Sequence, residues 1–309
     1  MSALRGLLDH YRDTATNEVD KGRKFERLGK FFLLNDLRFK ERFSDVWLWP
    51  EFPLNENKPD TGIDLVAKER DSDGYCAIQC KFYSESTTID KPNIDSFFTA
   101  SGKDIYTSRL IFSTTDNWTK HAEDALANQQ IPVNRISVDD MEQSSIDWSQ
   151  FSEENFYAPL RTKKSLRPHQ AAAHTNVIEA FQAYSRGKLI MACGTGKTFT
   201  SLRIAETVKG NVLFLAPSIS LVNQTFNEWA NESEMTMKSV VVCSDKTVKA
   251  DEDDIHTYDL LTPPTTDPQV LVNIAGKAFK KMTLMLSFQP TNQLTLLSKH
   301  RHLDFQSLT

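Results

Sequence analysis

The sequence predicts an α/β protein of two units in tandem: a mixed strand-and-helix unit over residues 1–155 and an incomplete parallel-sheet lobe over 166–269, joined by a linker at 156–165. Three observations predict it. Residues 62–67, Gly-Ile-Asp-Leu-Val-Ala, and 75–82, Tyr-Cys-Ala-Ile-Gln-Cys-Lys-Phe, are strand-like runs on either side of an Asp-Ser-Asp-Gly turn at 71–74, the pattern of a β-hairpin. Residues 188–200, Lys-Leu-Ile-Met-Ala-Cys-Gly-Thr-Gly-Lys-Thr-Phe-Thr, read as a buried strand running into a glycine-bearing loop and then a helix. Around both, segments of helical and strand periodicity alternate.

Taken in order, residues 4–36 carry two helices, the second with Phe25, Leu28, Phe32 and Leu33 at core spacing and Glu26 beside that stripe. Residues 42–50 are aromatic and end at Pro50, as a short strand or loop does, and 55–61 form a turn-rich stretch before the hairpin. After it come a helix marked by Ile94, Phe97 and Phe98, a strand at 109–115, a helix at 118–127 and a strand at 136–138. The polar and aromatic stretch 144–161, with Trp148, Phe151, Phe156 and Tyr157, reads as a connecting segment that packs on both sides. Beyond it a helix at 171–184 leads to the loop strand, a helix spans 197–208, and 211–216 and 239–242 are strands of a parallel sheet.

The chain of 309 residues, 39% hydrophobic and 25% charged, has the composition of a globular protein with room for a sizeable core. No apolar run approaches the roughly 18 residues a membrane span needs, so the expectation is a cytoplasmic protein without a membrane partner. The four cysteines, Cys76, Cys80, Cys193 and Cys243, lack CxxC spacing and are expected to be buried free thiols rather than a disulfide or zinc site. A net charge of −5 does not mark a nucleic-acid binder, although Lys21, Arg23, Lys24, Arg27 and Lys30 gather on one early helix, where a solvated face is the alternative.

Chemistry concentrates at two places. Alternate residues of a strand share a face, so Gln79 and Lys81 project together, Asp64 on the partner strand meets them, and Ile78 and Cys80 go to the core. A carboxylate, a second oxygen ligand and a lysine around one point suit phosphodiester hydrolysis with Mg²⁺, a hard cation that takes oxygen ligands. In the loop, Gly194 and Gly196 allow a tight turn whose N–H groups, with Thr195 between them, point at a polyphosphate; Lys197 reaches the β/γ-phosphates and Thr198 can hold Mg²⁺. The expected ligand is a nucleotide polyphosphate with Mg²⁺. Met191 stands where the full G-x-x-x-x-G-K-[ST] pattern has its first glycine.

The Gly-Ile-Asp…Gln-Cys-Lys pattern resembles the PD-(D/E)xK nucleases, specifically the Mrr-like branch in which glutamine replaces the second acid; the resemblance covers roughly residues 22–141. It implies an endonuclease of the type II restriction fold, with Asp64 as metal carboxylate, Gln79 as second ligand, Lys81 as catalytic lysine and Glu26 as the helix carboxylate that completes the site. Ala192-Cys-Gly-Thr-Gly-Lys-Thr resembles the first motif of superfamily 2 helicases and translocases. Residues 166–170, Leu-Arg-Pro-His-Gln, look like that family's adenine-reading segment, with Gln170 at the base edge, and 214–224 look like its DNA-contacting motif. An Mrr-like nuclease fold followed by an incomplete RecA-like lobe is similar to the single-polypeptide Type ISP restriction–modification enzymes, whose intact members carry methyltransferase and target-recognition domains in the same chain.

That resemblance implies double-stranded DNA as partner and ATP-driven translocation coupled to cleavage, but no Asp-Glu pair follows on a later strand and no second lobe supplies arginines, so ATP turnover is not expected. Residues 270–309 have no clean period and are expected to be an aberrant, out-of-frame tail. Reading from the third base of the Met285 codon allows Val-Val-Phe-Ser-Thr-Tyr-Gln-Ser-Ile-Asp, which resembles a segment that precedes the acidic motif in the family. Two other readings remain open, a catalytically incomplete fragment that only binds ATP or DNA, and a repair helicase–nuclease.

Overall fold

The computed structural model describes residues 2–55, 62–127, 129–243 and 256–265, and the backbone of 282–288 and 306–308. The chain divides into two compact units, Met1–Arg161 with Thr257–Pro263, and Thr162–His256 with Pro264–Thr309.

In the first unit, α1 (Ala3–Thr14) starts where the Ser2 side chain accepts from the Arg5 N–H, and α2 (Glu18–Asn35) where the Asn17 side chain accepts from the Asp20 N–H, with Glu18 and Asp20 in its first turn. The apolar spacing of α2 buries Phe25, Leu28, Phe31, Phe32 and Leu33. A short α3 (Leu37–Lys40) follows, and its fully buried Arg38 pairs with Asp36 at 2.8 Å and donates to the Asp140 carbonyl. The partner offsets the cost of burying each charge, and the second bond fastens this corner to the far end of the unit.

Five strands form one mixed sheet in the order β1 (Phe43–Leu48), β2 (Leu65–Glu69), β3 (Tyr75–Lys81), β4 (Tyr106–Ser113) and β5 (Val133–Ile136). The pairs β1–β2 and β2–β3 are antiparallel; β3–β4 and β4–β5 are parallel. Parallel neighbours need a crossover, supplied by α4 (Pro92–Ala100) and α5 (Lys120–Leu126). Val66, Ala77 and Ile111 pack against Ile94 and Phe97 of α4 and Ala122 and Leu126 of α5. The opposite face meets α2, where Phe32 packs edge-on against Phe112.

The strand expected at 136–138 lies earlier, at Val133–Ile136, because Ser137 caps α6 (Val138–Glu142): its hydroxyl receives the Asp140 N–H and the Asp140 carboxylate receives the Ser137 N–H. The stretch 144–161 packs into this unit, with Trp148 against Phe31 and Phe32 and its indole N–H on the Met141 carbonyl.

Residues 257–263 complete the same core although the chain on either side of them belongs to the second unit. Tyr258, Leu260 and Leu261 are buried, the Arg135 guanidinium lies over the Tyr258 ring at 5.0 Å and pairs with Asp259, and Asn134 Nδ2 and Arg42 Nη1 donate to the carbonyls of Thr257 and Leu261 at 3.2 and 3.1 Å.

The second unit holds α7 (Pro168–Ala180), α8 (Lys197–Val208), β6 (Asn211–Ala216), α9 (Ile219–Glu232), β7 (Met237–Cys243), β8 (Met282–Phe288) and β9 (Gln306–Leu308). Its strands form an all-parallel sheet in the order β7-β8-β6-β9. The helix α9 was not foreseen; Ser218 caps it, and its apolar face buries Val222, Phe226 and Trp229. The buried strand expected from residue 188 is not formed: 185–191 has no regular structure and Ile190 is 88% exposed. Apolar composition alone does not make a strand, and no strand among the described residues pairs with this segment. Most of 270–309, the expected aberrant tail, lies outside the described residues; its described parts are the strands β8 and β9.

Truncating a buried aromatic ring leaves a cavity, so Tyr258→Ala is expected to lower the stability of the first unit by about 3 kcal/mol. Urea unfolding followed by the fluorescence of the unit's tryptophans checks this, and an unchanged midpoint would mean that 257–263 adds nothing to the core.

Candidate functional site

The first site lies where β2 begins and β3 ends. The Asp64 N–H donates to the Ile78 carbonyl at 2.9 Å, and continuing the register Leu65↔Ile78 by one residue sets Asp64 opposite Gln79. The Asp64 carboxylate accepts the Cys80 N–H at 2.6 Å, which pins it to the backbone between Gln79 and Lys81. The Gln79 side chain is 3% exposed; its amide nitrogen donates to the Gly62 carbonyl at 3.0 Å, while its amide oxygen has no hydrogen-bond partner. A buried carbonyl oxygen without a donor costs roughly 1–3 kcal/mol, and a bound cation would relieve that cost.

Cys80 is half-buried rather than fully in the core, and a Cβ at Gly29 of α2 would lie 3.6 Å from its sulfur. Burial pushes this thiol well above its ordinary pKa, and the charges of Asp64 and then Glu26 push the same way against Lys81. Asp64 lies opposite Gln79, and Gln79 and Lys81 share a face of β3, while Glu26 is linked to this place through its charge on Cys80. Among the described residues no group of three or more His, Cys, Asp or Glu is suited to a metal ion. The donors here are mixed, a carboxylate and an amide oxygen, both of the hard type that Mg²⁺ takes.

Of the other thiols, Cys76 is buried, with its pKa pushed up to about 12 by burial. Cys193 is exposed, against expectation, because the segment entering the loop is not covered by a sheet. The side chain of Cys243 lies outside the described residues.

The second site is the loop at 192–198. Gly194 and Gly196 take φ of +74° and +81°, the left-handed region that favours glycine, and Gly196 caps α8. Lys197 Nζ donates to the Met191 and Ala192 carbonyls at 3.2 and 3.1 Å, and the Thr195 hydroxyl to the Ala192 carbonyl at 2.7 Å. Gln170, expected at a base edge, is buried against the loop: its nitrogen donates to the Thr195 carbonyl at 3.0 Å and its oxygen accepts the Arg167 N–H at 2.9 Å. Sequence reasoning missed Trp229, whose buried indole N–H donates to the Thr198 carbonyl at 3.0 Å. Its helical spacing with Val222 and Phe226 marks a core face, but nothing local signals a bond across 31 residues.

With both sites described, the comparisons with known proteins fall into place. The family described as restriction endonuclease matches residues 34–156, and the family described as Type III restriction enzyme, res subunit, matches 163–298. The chain carries a restriction-endonuclease domain followed by a helicase-type domain. The first match contains Asp64, Gln79 and Lys81 but begins after Glu26; the second contains Gln170 and the whole loop.

The structure of the ATP-dependent Type ISP restriction-modification enzyme LlaBIII bound to DNA is similar over 89% of this chain, with a TM-score of 0.76 and 34% identity. A nuclease-deletion mutant of the Type ISP enzyme LlaGI, in complex with a DNA substrate mimic, is 34% identical over 40% of the chain and 13% of its own; its TM-score of 0.34 carries no weight for the fold. The TFIIH basal transcription factor complex helicase/translocase XPB subunit of Trypanosoma brucei brucei is 27% identical over 150 residues, 46% of this chain. The chain spans only 18% of the LlaBIII chain and 16% of the XPB subunit. The restriction-endonuclease and helicase-type architecture and the structural likeness to Type ISP enzymes thus agree with the sequence reading, and among the described residues no helix is long and apolar enough to cross a membrane.

A Cβ at Gly196 would stand 2.3 Å from Gln170 Nε2, and its φ is left-handed. Gly196→Ala is therefore expected to break the Gln170–Thr195 contact and cost about 1–2 kcal/mol, read as a lower thermal midpoint of the helicase-type unit. An unchanged midpoint would show that the Gln170 contact with this loop does not hold α8 in place.

Proposed function

We propose that this chain is an Mg²⁺-dependent DNA endonuclease module joined to part of an ATP-driven DNA translocase of restriction–modification type. The observation that carries the reading is the buried, unpartnered Gln79 oxygen set opposite Asp64 and two residues before Lys81. Asp64 and Gln79 are the residues that would hold Mg²⁺, which when bound supplies Lewis-acid charge at a scissile phosphate and a more acidic water. Lys81 brings positive charge to the phosphate oxygens as negative charge develops on them, and Glu26 supplies a second carboxylate to orient the attacking water. The substrate is double-stranded DNA, a reading supported by the LlaBIII structure, which is bound to DNA. In the second unit Gly194, Thr195, Gly196, Lys197 and Thr198 are the residues that would hold the phosphates and Mg²⁺ of ATP. Lys197 reaches them by exchanging its two carbonyl acceptors for phosphate oxygens.

Asp64→Ala and Lys81→Ala are each expected to slow Mg²⁺-dependent nicking of supercoiled plasmid by roughly 10²-fold or more while DNA binding, read by gel mobility shift, stays unchanged. Full activity in both variants would remove the nuclease assignment.

ATP is expected to bind weakly and without turnover, since no strand among the described residues carries an Asp-Glu pair to position water, and Lys197→Ala is expected to abolish the binding heat in a calorimetric titration. Steady DNA-stimulated phosphate release that Lys197→Ala abolishes would instead make this chain a working motor.

A further inference from the structure

We infer that Thr114 is the positioning residue that holds the catalytic lysine strand in register beyond the point where the sheet ends. The inference rests on the assignment of Lys81 above. The ladder between β3 and β4 closes at the pair Lys81↔Ser113, so Lys81 is the terminal residue of its strand, the place where backbone frays most easily. Thr114, the next residue after β4, is 3% exposed and takes over from the ladder. Its N–H donates to the Lys81 carbonyl at 3.1 Å. Its hydroxyl oxygen accepts the Tyr83 N–H at 2.8 Å and lies 2.7 Å from the Tyr83 carbonyl and 3.4 Å from that of Lys81.

A hydroxyl has one hydrogen to give, and the shorter contact selects the Tyr83 carbonyl. The Thr114 side chain thus closes both backbone polar groups of Tyr83 while the Thr114 backbone N–H holds Lys81, so residues 81–83 are clamped although no strand among the described residues pairs with 82 and 83. The clamp is itself braced. Ser113 Oγ donates to the Thr115 carbonyl at 2.7 Å and Thr115 Oγ1 to that of Thr87 at 2.7 Å, which fixes the turn that presents Thr114. From the other side, Arg12 Nη2 reaches the Tyr83 carbonyl at 3.1 Å, and Phe82 stacks on Phe25 with centroids 5.0 Å apart. Among the described residues only the Thr114 hydroxyl binds both groups of Tyr83. Losing it lets the backbone that carries Lys81 drift, and a misplacement of an ångström at a catalytic group costs on the order of 10²-fold in rate.

The test uses the full chain and supercoiled plasmid with MgCl₂. Thr114→Val keeps the shape and removes the hydroxyl; it is expected to lower kcat for nicking roughly ten- to hundredfold with KM unchanged, and Thr114→Ser to restore most of the rate. In hydrogen exchange the Tyr83 amide of Thr114→Val should exchange faster while the β3–β4 ladder amides keep their protection. Wild-type kcat in a folded Thr114→Val, or no recovery with Thr114→Ser, overturns the inference. If Thr114→Val shows no cooperative melt, Thr114→Ala carries the same reading, and failure of both to fold makes the hydroxyl a folding determinant, which also overturns it. Nicking that is equally fast in wild type and Lys81→Ala would instead defeat the nuclease assignment, so the two failures are distinguishable.

Discussion

The close approach of α2 to β3 is the constraint on which the first unit depends. At Gly29 a Cβ would just touch the Cys80 sulfur at 3.6 Å, so a larger side chain would push the helix off the sheet. Held at that distance, α2 buries Phe25 against Phe82 and Phe32 against Phe112, and so seals the end of the strand that carries Lys81. Glu26 lies three residues before Gly29, one helical turn along the same face, which brings its charge to bear on Cys80. The charges of Glu26 from the helix and of Asp64 and Lys81 from the hairpin are all felt at Cys80.

The same geometry shapes the electrostatics. The Cys80 N–H fixes the Asp64 carboxylate, and burial first, then the charges of Asp64 and Glu26, raise the pKa of the Cys80 thiol. Away from the site, the buried Asp36–Arg38 pair and the Arg135 stack on Tyr258 handle charge in another way, each cation being matched by a carboxylate and then used to fasten a distant segment.

In the second unit the controlling contact is Gln170 on the loop. Its amide bonds at both ends, the nitrogen to the Thr195 carbonyl and the oxygen to the Arg167 N–H, and Gly196 is the residue that lets it come so near. Thr198 is fixed separately, by Trp229 and Ser201 on its carbonyl. The loop is thus positioned by α7 on one side and α9 on the other, without a strand leading into it among the described residues. That explains how it keeps two left-handed glycines in order while Ile190, just before it, lies open to solvent.

The sequence by itself determined the local chemistry: the hairpin, the alternation that sends Gln79 and Lys81 to one face, the glycines of the loop, two helices within 4–36 and the helix at 197–208. Each depends on neighbours a few residues apart, and residue type fixes such things. What depends on partners far along the chain was decided only by the tertiary structure. Residues 188–193 have the composition of a strand, but a strand is a pairing, and pairing is settled elsewhere. Gln170, expected at a base edge, sets its amide nitrogen on the Thr195 carbonyl and its oxygen on the Arg167 N–H, contacts its place in the sequence does not reveal. Residues 257–263 lie far from the first unit in sequence and belong to its core, because three buried apolar side chains and three polar side chains of that unit outweigh the order of the chain.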